Sequence, residues 1–144
     1  MKEKVDQEEL LRIFPGKLRK RIEEKVSFED VTEIRLRTGL PISIVTAEES
    51  YFLQKQEEKE EYWILSSEEL KIIFEKLSQY SVFAYKEEIG EGYITLKGGH
   101  RAGLCGKYYY DGIEKPQIKN ISSINLRVAR EVKNCALPIV PWLF

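Results

Sequence analysis

The chain has few of the residues on which metal and nucleophilic sites are usually built. Among its 144 residues are one histidine, one methionine and two cysteines. Its 23 basic and 24 acidic residues leave a formal net charge of −1, so no overall field attracts nucleic acid or anionic lipid. No apolar run reaches the roughly 20 residues that span a bilayer, and the charged start, MKEKVDQEEL, lacks the apolar stretch of a signal peptide. We therefore expect a cytoplasmic protein.

The two cysteines do not predict a metal centre. Cys105 and Cys135 are far apart in sequence, and neither has a histidine, an aspartate or a further cysteine at metal-ligand spacing. In a cytosolic protein such a pair is typical of two reduced, partly buried thiols. We predict neither a disulfide nor a metal site.

The composition, 42% hydrophobic and 33% charged, supports one core and a single domain over residues 1–144. We predict four helices. The first contains Leu10 and Leu11, and the second follows Pro15, with Leu18 and Ile22 on its inner side and Arg21 among its solvated charges. The third covers residues 66–77, and a short fourth helix ends at Gly90. Alternation predicts strands over residues 32–37, 42–46, 51–53, 62–65, 93–96, 100–110, 113–118 and 124–128. The fold class is α+β: a mainly antiparallel sheet with amino-terminal helices and a central helix pair packed on it.

Two local signals are specific. Ser66 and Glu69 have the spacing of a capping box, which predicts a helix start. In the segment GYITLKGGHRAGLCG, Gly98 and Gly99 predict a tight turn before His100. Glycine is a poor strand former, so Gly103 and Gly106 indicate a bulge or a second backbone close by.

No complete active site emerges from these residues. Alternation along a strand places His100 and Cys105 on opposite faces, and the simpler interpretation is a His100 ring that bonds a neighbouring backbone group. The GGHR string lacks the spacing of a phosphate loop and precedes a strand, not a helix. The carboxylates lie in charge runs, without an isolated pair for acid–base chemistry.

Arginines on strands are the main functional candidates. Arg35 and Arg37 share one face of a predicted strand, and Arg101, Arg127 and Arg130 lie on or beside others. One interpretation is a half-exposed sheet with arginines on its wet side. The other is a surface that faces an anion or a subunit, because arginine is a planar donor for phosphate and carboxylate.

Four stretches, in this order, resemble the stage III sporulation protein AA family of endospore-forming bacteria: LRIFPGKLRKRI, EIRLRTGLPISI, LKIIFEKLSQYSVFAYKEEIGEGYITLKGGHRAGLCG and ISSINLRVAREVKNCA. The resemblance implies the amino-terminal assembly and regulatory domain of a sporulation ATPase that energises a mother-cell to forespore channel complex. It implies a location on the mother-cell side of the septum. The implied partners are the domain's own carboxy-terminal ATPase domain, neighbouring subunits of a homo-hexamer and membrane channel proteins. Nucleic acid is not expected.

The family's ATPase domain looks similar to the motors of type II and type IV secretion, in which arginines of an amino-terminal sheet domain reach bound phosphates. By that analogy, Arg101, Arg127 and Arg130 are the positions to test. The phosphate loop itself is absent from the sequence, so we predict that this chain is not an enzyme and binds no cofactor. ATP and magnesium are expected only in the full-length parent.

Three further expectations remain open. The charge-free residues 137–144 lead into a missing ATPase domain, or else pack on their own domain. A nucleic-acid-binding module that uses the arginines is the alternative function, although the net charge counts against it. A small enzyme centred on His100 and Cys105 is the third hypothesis.

Overall fold

The computed structural model describes residues 7–57, 59–79, 85–110, 112 and 117–129. The elements in chain order are α1 (Gln7–Leu11), α2 (Gly16–Lys25), β1 (Val31–Arg37), β2 (Ser43–Thr46), β3 (Ser50–Phe52), α3 (Ser67–Leu77), α4 (Lys86–Glu91), β4 (Tyr93–Thr95), β5 (Arg101–Tyr109) and β6 (Gln117–Arg127). No helix in these ranges is long and apolar enough to cross a membrane.

The strands of the described ranges form one six-stranded antiparallel sheet in the order β3-β2-β1-β6-β5-β4. β6, the last of them in the chain, inserts between β1 and β5 and becomes a central strand. The predicted α+β class, with a mainly antiparallel sheet, is confirmed.

α3 has the predicted capping box and buries its apolar side. Ser66 Oγ accepts a hydrogen bond from Glu69 N at 3.0 Å, and a Glu69 carboxylate oxygen accepts one from Ser66 N at 3.1 Å. This capping box satisfies amide groups that have no partner within the helix. The apolar stripe of α3, which includes Ile73 and Leu77, is buried, and the helix packs against β6.

The amino-terminal helices also bury their apolar sides, with Leu10, Leu18 and Ile22 at most 1% exposed. The assignment of Arg21 to the solvated side of α2 was wrong. Its side chain is only 6% exposed, because the segment after β3 lies against the helix and the Arg21 Nε donates to Gln54 O at 2.6 Å.

Three further details differ from the sequence prediction. α4 continues past Gly90 to Glu91, and its cap is Gly92, whose φ of 93° is in the left-handed region. Residues 62–65 make only isolated bridges. β6 is continuous from Gln117 to Arg127, where two strands were predicted, because two bulges keep it paired with β5. Asp111, which together with Gly112 is a hairpin signal in the sequence, lies outside the described residues.

Candidate functional site

The candidate site is the sheet face that points away from the core. Antiparallel pairing arranges its residues in three rows across β1, β6 and β5. The rows are Glu33–Arg127–Arg101, Arg35–Asn125–Gly103 and Arg37–Ser123–Cys105. We call these nine residues the arginine face.

The prediction that Arg35 and Arg37 share one face follows directly from the burial pattern of β1. Ile34 and Leu36 are fully buried, and the arginines between and beside them point the other way. The Arg35 side chain is 48% exposed, whereas Arg37 is half-buried. Both arginines therefore belong to a surface that the helices leave open.

The register brings Arg101 and Arg127 directly opposite each other on β5 and β6, and both are exposed. Like charges that face each other across two strands repel. On its other side Arg127 faces Glu33 of β1, so one carboxylate serves a row that contains two guanidinium groups. This end of the face therefore has more positive charge than it neutralises.

Glu33 is the one acidic residue of the arginine face. Arg35 Nε lies 3.4 Å from a Glu33 carboxylate oxygen. Partial burial alone would raise the pKa of Glu33, but hydrogen bonds from Asn125 and Arg35 and the charges of Arg35 and Arg127 outweigh it and hold the pKa below its ordinary value of 4.5. Glu33 is thus ionised at neutral pH, and its negative charge attracts Arg35 and Arg127.

Arg101 is positioned by an aromatic ring. Its guanidinium carbon lies 4.4 Å from the ring centroid of Tyr93 on the neighbouring strand β4, within the range of a cation–π contact. Stacking engages one face of the guanidinium and not its N–H edge, which is the part that donates to planar anions.

The Gly98–Gly99 turn and the buried His100 directly precede β5 and so lie next to this face. Gly98 and Gly99 have φ values of 93° and 87°, which glycine adopts at no steric cost. His100 is 1% exposed, and its Nδ1 accepts a hydrogen bond from Ala129 N at 2.9 Å. An accepting Nδ1 places the proton of the neutral ring on Nε2. His100 therefore ties the turn to the chain just beyond Arg127.

His100 and Cys105 do not form a catalytic pair. His100 is buried, whereas Cys105 is an exposed, free thiol on the arginine face. The strand alternation that separates them is undistorted between Arg101 and Cys105, since the first bulge of β5 follows Cys105.

The two strand glycines differ in their surroundings. A Cβ atom on Gly106 would lie 2.1 Å from the carbonyl oxygen of Asn120, whereas one on Gly103 would meet nothing closer than 3.8 Å. Gly106 thus marks the close backbone approach that glycine in a strand indicates. Gly103 has no such close neighbour and is simply one of the nine residues of the arginine face.

Of the predicted site residues, the sheet brings Arg35, Arg37, Arg101 and Arg127 together; Arg130 lies outside the described residues. Sequence reasoning missed Glu33, Asn125 and Tyr93. The alternation in TEIRLR already places Glu33 beside Arg35, but only the strand order shows that Arg127 joins them. In the described ranges no three His, Cys, Asp or Glu side chains could together hold a metal ion. What the arginine face offers chemically is guanidinium groups, which are donors for phosphate and carboxylate.

Two comparisons with known proteins each match almost the whole chain. A sequence model of the family described as "Sporulation stage III, protein AA" matches residues 3–144. The chain is 26% identical over 138 residues to the Stage III sporulation protein AA of Bacillus subtilis (strain 168). That match covers 94% of this chain and 42% of the relative, so the chain spans less than half the length of that protein. No solved structure matches the chain.

Proposed function

The chain belongs to the family Sporulation stage III, protein AA, and from that premise we propose that it is a non-catalytic assembly and regulatory domain of a sporulation ATPase. In this proposal the parent energises a channel between mother cell and forespore. The domain works on the mother-cell side of the septum, in contact with its own ATPase domain, with neighbouring subunits of a hexamer and with membrane channel proteins.

The observation that carries the proposal is the arginine face. Its three rows combine four arginines with one acidic residue, Glu33, in a chain whose formal net charge is −1. Charge is therefore concentrated on one sheet face. Arginines are enriched at the centres of protein interfaces and are the preferred partners of phosphate and carboxylate.

Arg101 and Arg127 are the residues that we assign to the phosphates of a nucleotide held by the ATPase domain. Their direct opposition leaves a repulsion that a bridging dianion would remove. The 144 residues include no phosphate-loop motif, so ATP and magnesium would be held by the rest of the longer protein. The arginine face would then act on that site from outside, within one subunit or across a subunit boundary.

The test is ATP hydrolysis by the full-length parent with Arg101→Ala, Arg127→Ala or Arg130→Ala. If one of these arginines stabilises the transferring phosphate, its loss lowers turnover by about 10³-fold. Arg19→Ala is the matched control, because Arg19 is a half-exposed arginine on α2 that pairs with Glu23 at 2.9 Å. Assembly is measured in parallel by sedimentation.

The outcomes separate two versions of the proposal. A collapse of turnover in a folded, assembled variant supports a phosphate-facing role. Loss of assembly with normal turnover per assembled particle supports a docking role for the same arginines. Wild-type turnover and assembly in all three variants would contradict both.

Nucleic-acid binding is the second candidate for the same surface, and the arginine face is the observation that favours it. It predicts that single-stranded or duplex DNA binds the chain with an affinity that falls steeply as salt is raised. The ionised Glu33 within the face weighs against a surface that binds the nucleic-acid backbone. Absence of such binding at low salt would eliminate this candidate.

A further inference from the structure

A second basic site lies away from the arginine face, where α2 meets the segment that follows β3. A cavity of about 630 Å³ opens there, within the size range of small-molecule pockets. Its cationic lining residues are Lys17, Lys20 and Arg21 from α2 and Lys55 from the following segment. The indole of Trp63 forms part of its wall.

Arg21 is the unusual member of this cavity. A side chain that is 6% exposed keeps a full positive charge, which is costly unless the charge is paired. Its Nε donates to Gln54 O, and its Nη1 lies 3.8 Å from Glu24 and 3.7 Å from Glu57, too far for good hydrogen bonds. Its Nη2 is enclosed and makes no hydrogen bond to any residue that the structure describes.

The charges around the cavity do not balance. Among the described lining residues, four cations stand against the two carboxylates of Glu24 and Glu69, which leaves an excess of two positive charges. Glu69 is already engaged, because it accepts hydrogen bonds from Trp63 Nε1 at 3.1 Å and from Ser66 N at 3.1 Å.

Two further carboxylates lie outside the lining and are shared with lysines. Glu57 also approaches Lys25 at 3.5 Å, and Glu61 approaches Lys55 at 3.9 Å. These exposed pairs are weak and screened by salt. They leave Lys17 and Lys20, on successive turns of α2, facing the cavity beside the buried guanidinium.

We propose that this cavity binds the phosphate group of a small molecule. A dianion matches the excess charge of the lining, and lysine and arginine are the side chains that bind phosphate in proteins. A phosphate group is smaller than the cavity, so the rest of a phosphate monoester lies against the Trp63 wall. Lys17 and Lys20 hold the anion at the mouth, and Arg21 attracts it from below.

The first measurement is a titration of the chain with inorganic phosphate and, separately, with glycerol phosphate, at constant ionic strength set by chloride. Trp142→Phe leaves Trp63 as the only tryptophan, so its emission reports the cavity. We expect a saturable change with both anions. Tighter binding of the monoester assigns the site to an organic phosphate, and equal binding assigns it to the phosphate group alone.

Lys17→Ala/Lys20→Ala is the test variant, because both lysines are exposed and their loss leaves the packing of α2 intact. It should weaken binding at least tenfold. Lys71→Ala/Lys119→Ala is the matched control, since these exposed lysines line a different groove between α3 and β6. Phosphate should also raise the Tm of the chain without lysine substitutions and of the control variant, but not the Tm of the test variant.

The proposal is overturned if phosphate produces no saturable change, or if the control loses as much affinity as the test variant. It does not depend on the ATPase proposal: Trp63 emission and Tm are read without hydrolysis, and the arginine variants of the sheet leave the cavity unchanged.

Discussion

The two faces of the same three strands have opposite physical roles. On the inner face, two rows cross β1, β6 and β5: Ile34–Leu126–Ala102 and Leu36–Ile124–Leu104. Each of these six residues is at most 5% exposed. On the outer face, the neighbouring residues of the same strands form the arginine face. Identical backbone pairing thus supports burial on one side and concentrated charge on the other.

This difference predicts which substitutions change stability. Each buried leucine or isoleucine on the inner face removes apolar surface from water and contributes about 1.5–3 kcal/mol. Exposed ion pairs on the outer face contribute about 0–1 kcal/mol each. Substitutions on the two faces should therefore affect different measurements, which makes the outer face suitable for functional mutagenesis.

The largest expected effect comes from adjacent residues of β1. Ile34→Ala leaves a cavity in the core and should lower the free energy of unfolding by about 2–5 kcal/mol. Arg35→Ala, one residue along, should change it by no more than about 0.5 kcal/mol. Urea denaturation followed by circular dichroism measures both. A large loss in Arg35→Ala would mean that the outer face is packed against something that stabilises the fold.

A second contrast lies within β5. Gly106→Ala places a Cβ atom 2.1 Å from Asn120 O, so the strands must separate, and we expect a loss of about 1–3 kcal/mol. Gly103→Ala, on the arginine face, has 3.8 Å of clearance and should be nearly neutral. The same denaturation series measures both variants, and equal effects would contradict the close approach at the bulge.

Local signals predicted much of this fold. The alternation in TEIRLR assigned Ile34 and Arg35 to opposite faces, and the capping box located the start of α3, because each signal depends on residues that are neighbours in sequence. The insertion of β6 between β1 and β5 could not be predicted this way. Strand order depends on packing between distant segments, and a different order would leave Glu33 without Arg127.

The burial of Arg21 was missed for a related reason. Its position on α2 matches the polar side of an amphipathic helix, as the neighbouring lysines do. Only the segment that follows β3, which is distant in sequence, covers it and supplies the carbonyl of Gln54. The register that places Arg101 opposite Arg127 is likewise a property of two strands together and not of either sequence alone.

A smaller effect is expected in the pH dependence of stability, through Glu33 on the arginine face. The folded-state pKa of Glu33 is lowered, so the unfolded chain binds more protons between the two pKa values. Its contribution is therefore present above the unfolded pKa and is lost as pH falls through the folded pKa. Glu33→Gln should cost less than about 1 kcal/mol at neutral pH, because the site is near the surface.

The cost of Glu33→Gln should disappear in acid, once the pH is below the lowered folded-state pKa of Glu33. Denaturation midpoints of wild type and variant, measured from neutral to acidic pH, should converge there. Glu48→Gln is the control, because Glu48 is exposed and lies in the turn between β2 and β3. A constant difference between wild type and Glu33→Gln at every pH would show that the glutamate acts through its shape and not its charge.

The smallest expected effect concerns the opposed pair Arg101 and Arg127. In a double-mutant cycle with alanine, each single replacement also changes strand propensity, and Arg101→Ala loses the stacking on Tyr93. Those terms cancel in the coupling energy. What remains is the repulsion between two guanidinium groups on paired strands, a few tenths of a kcal/mol at low salt.

Screening should reduce this repulsion as salt is raised, since the Debye length falls to about 3 Å at 1 M. The cycle between Arg101 and Arg37 is the control, because these residues lie in different rows and on strands that β6 separates. A zero coupling for Arg101 and Arg127 at low salt would show that their side chains avoid each other, which would remove the electrostatic reason to expect an anion between them. A repulsive coupling that phosphate abolishes would instead identify the pair as the anion-binding part of the arginine face.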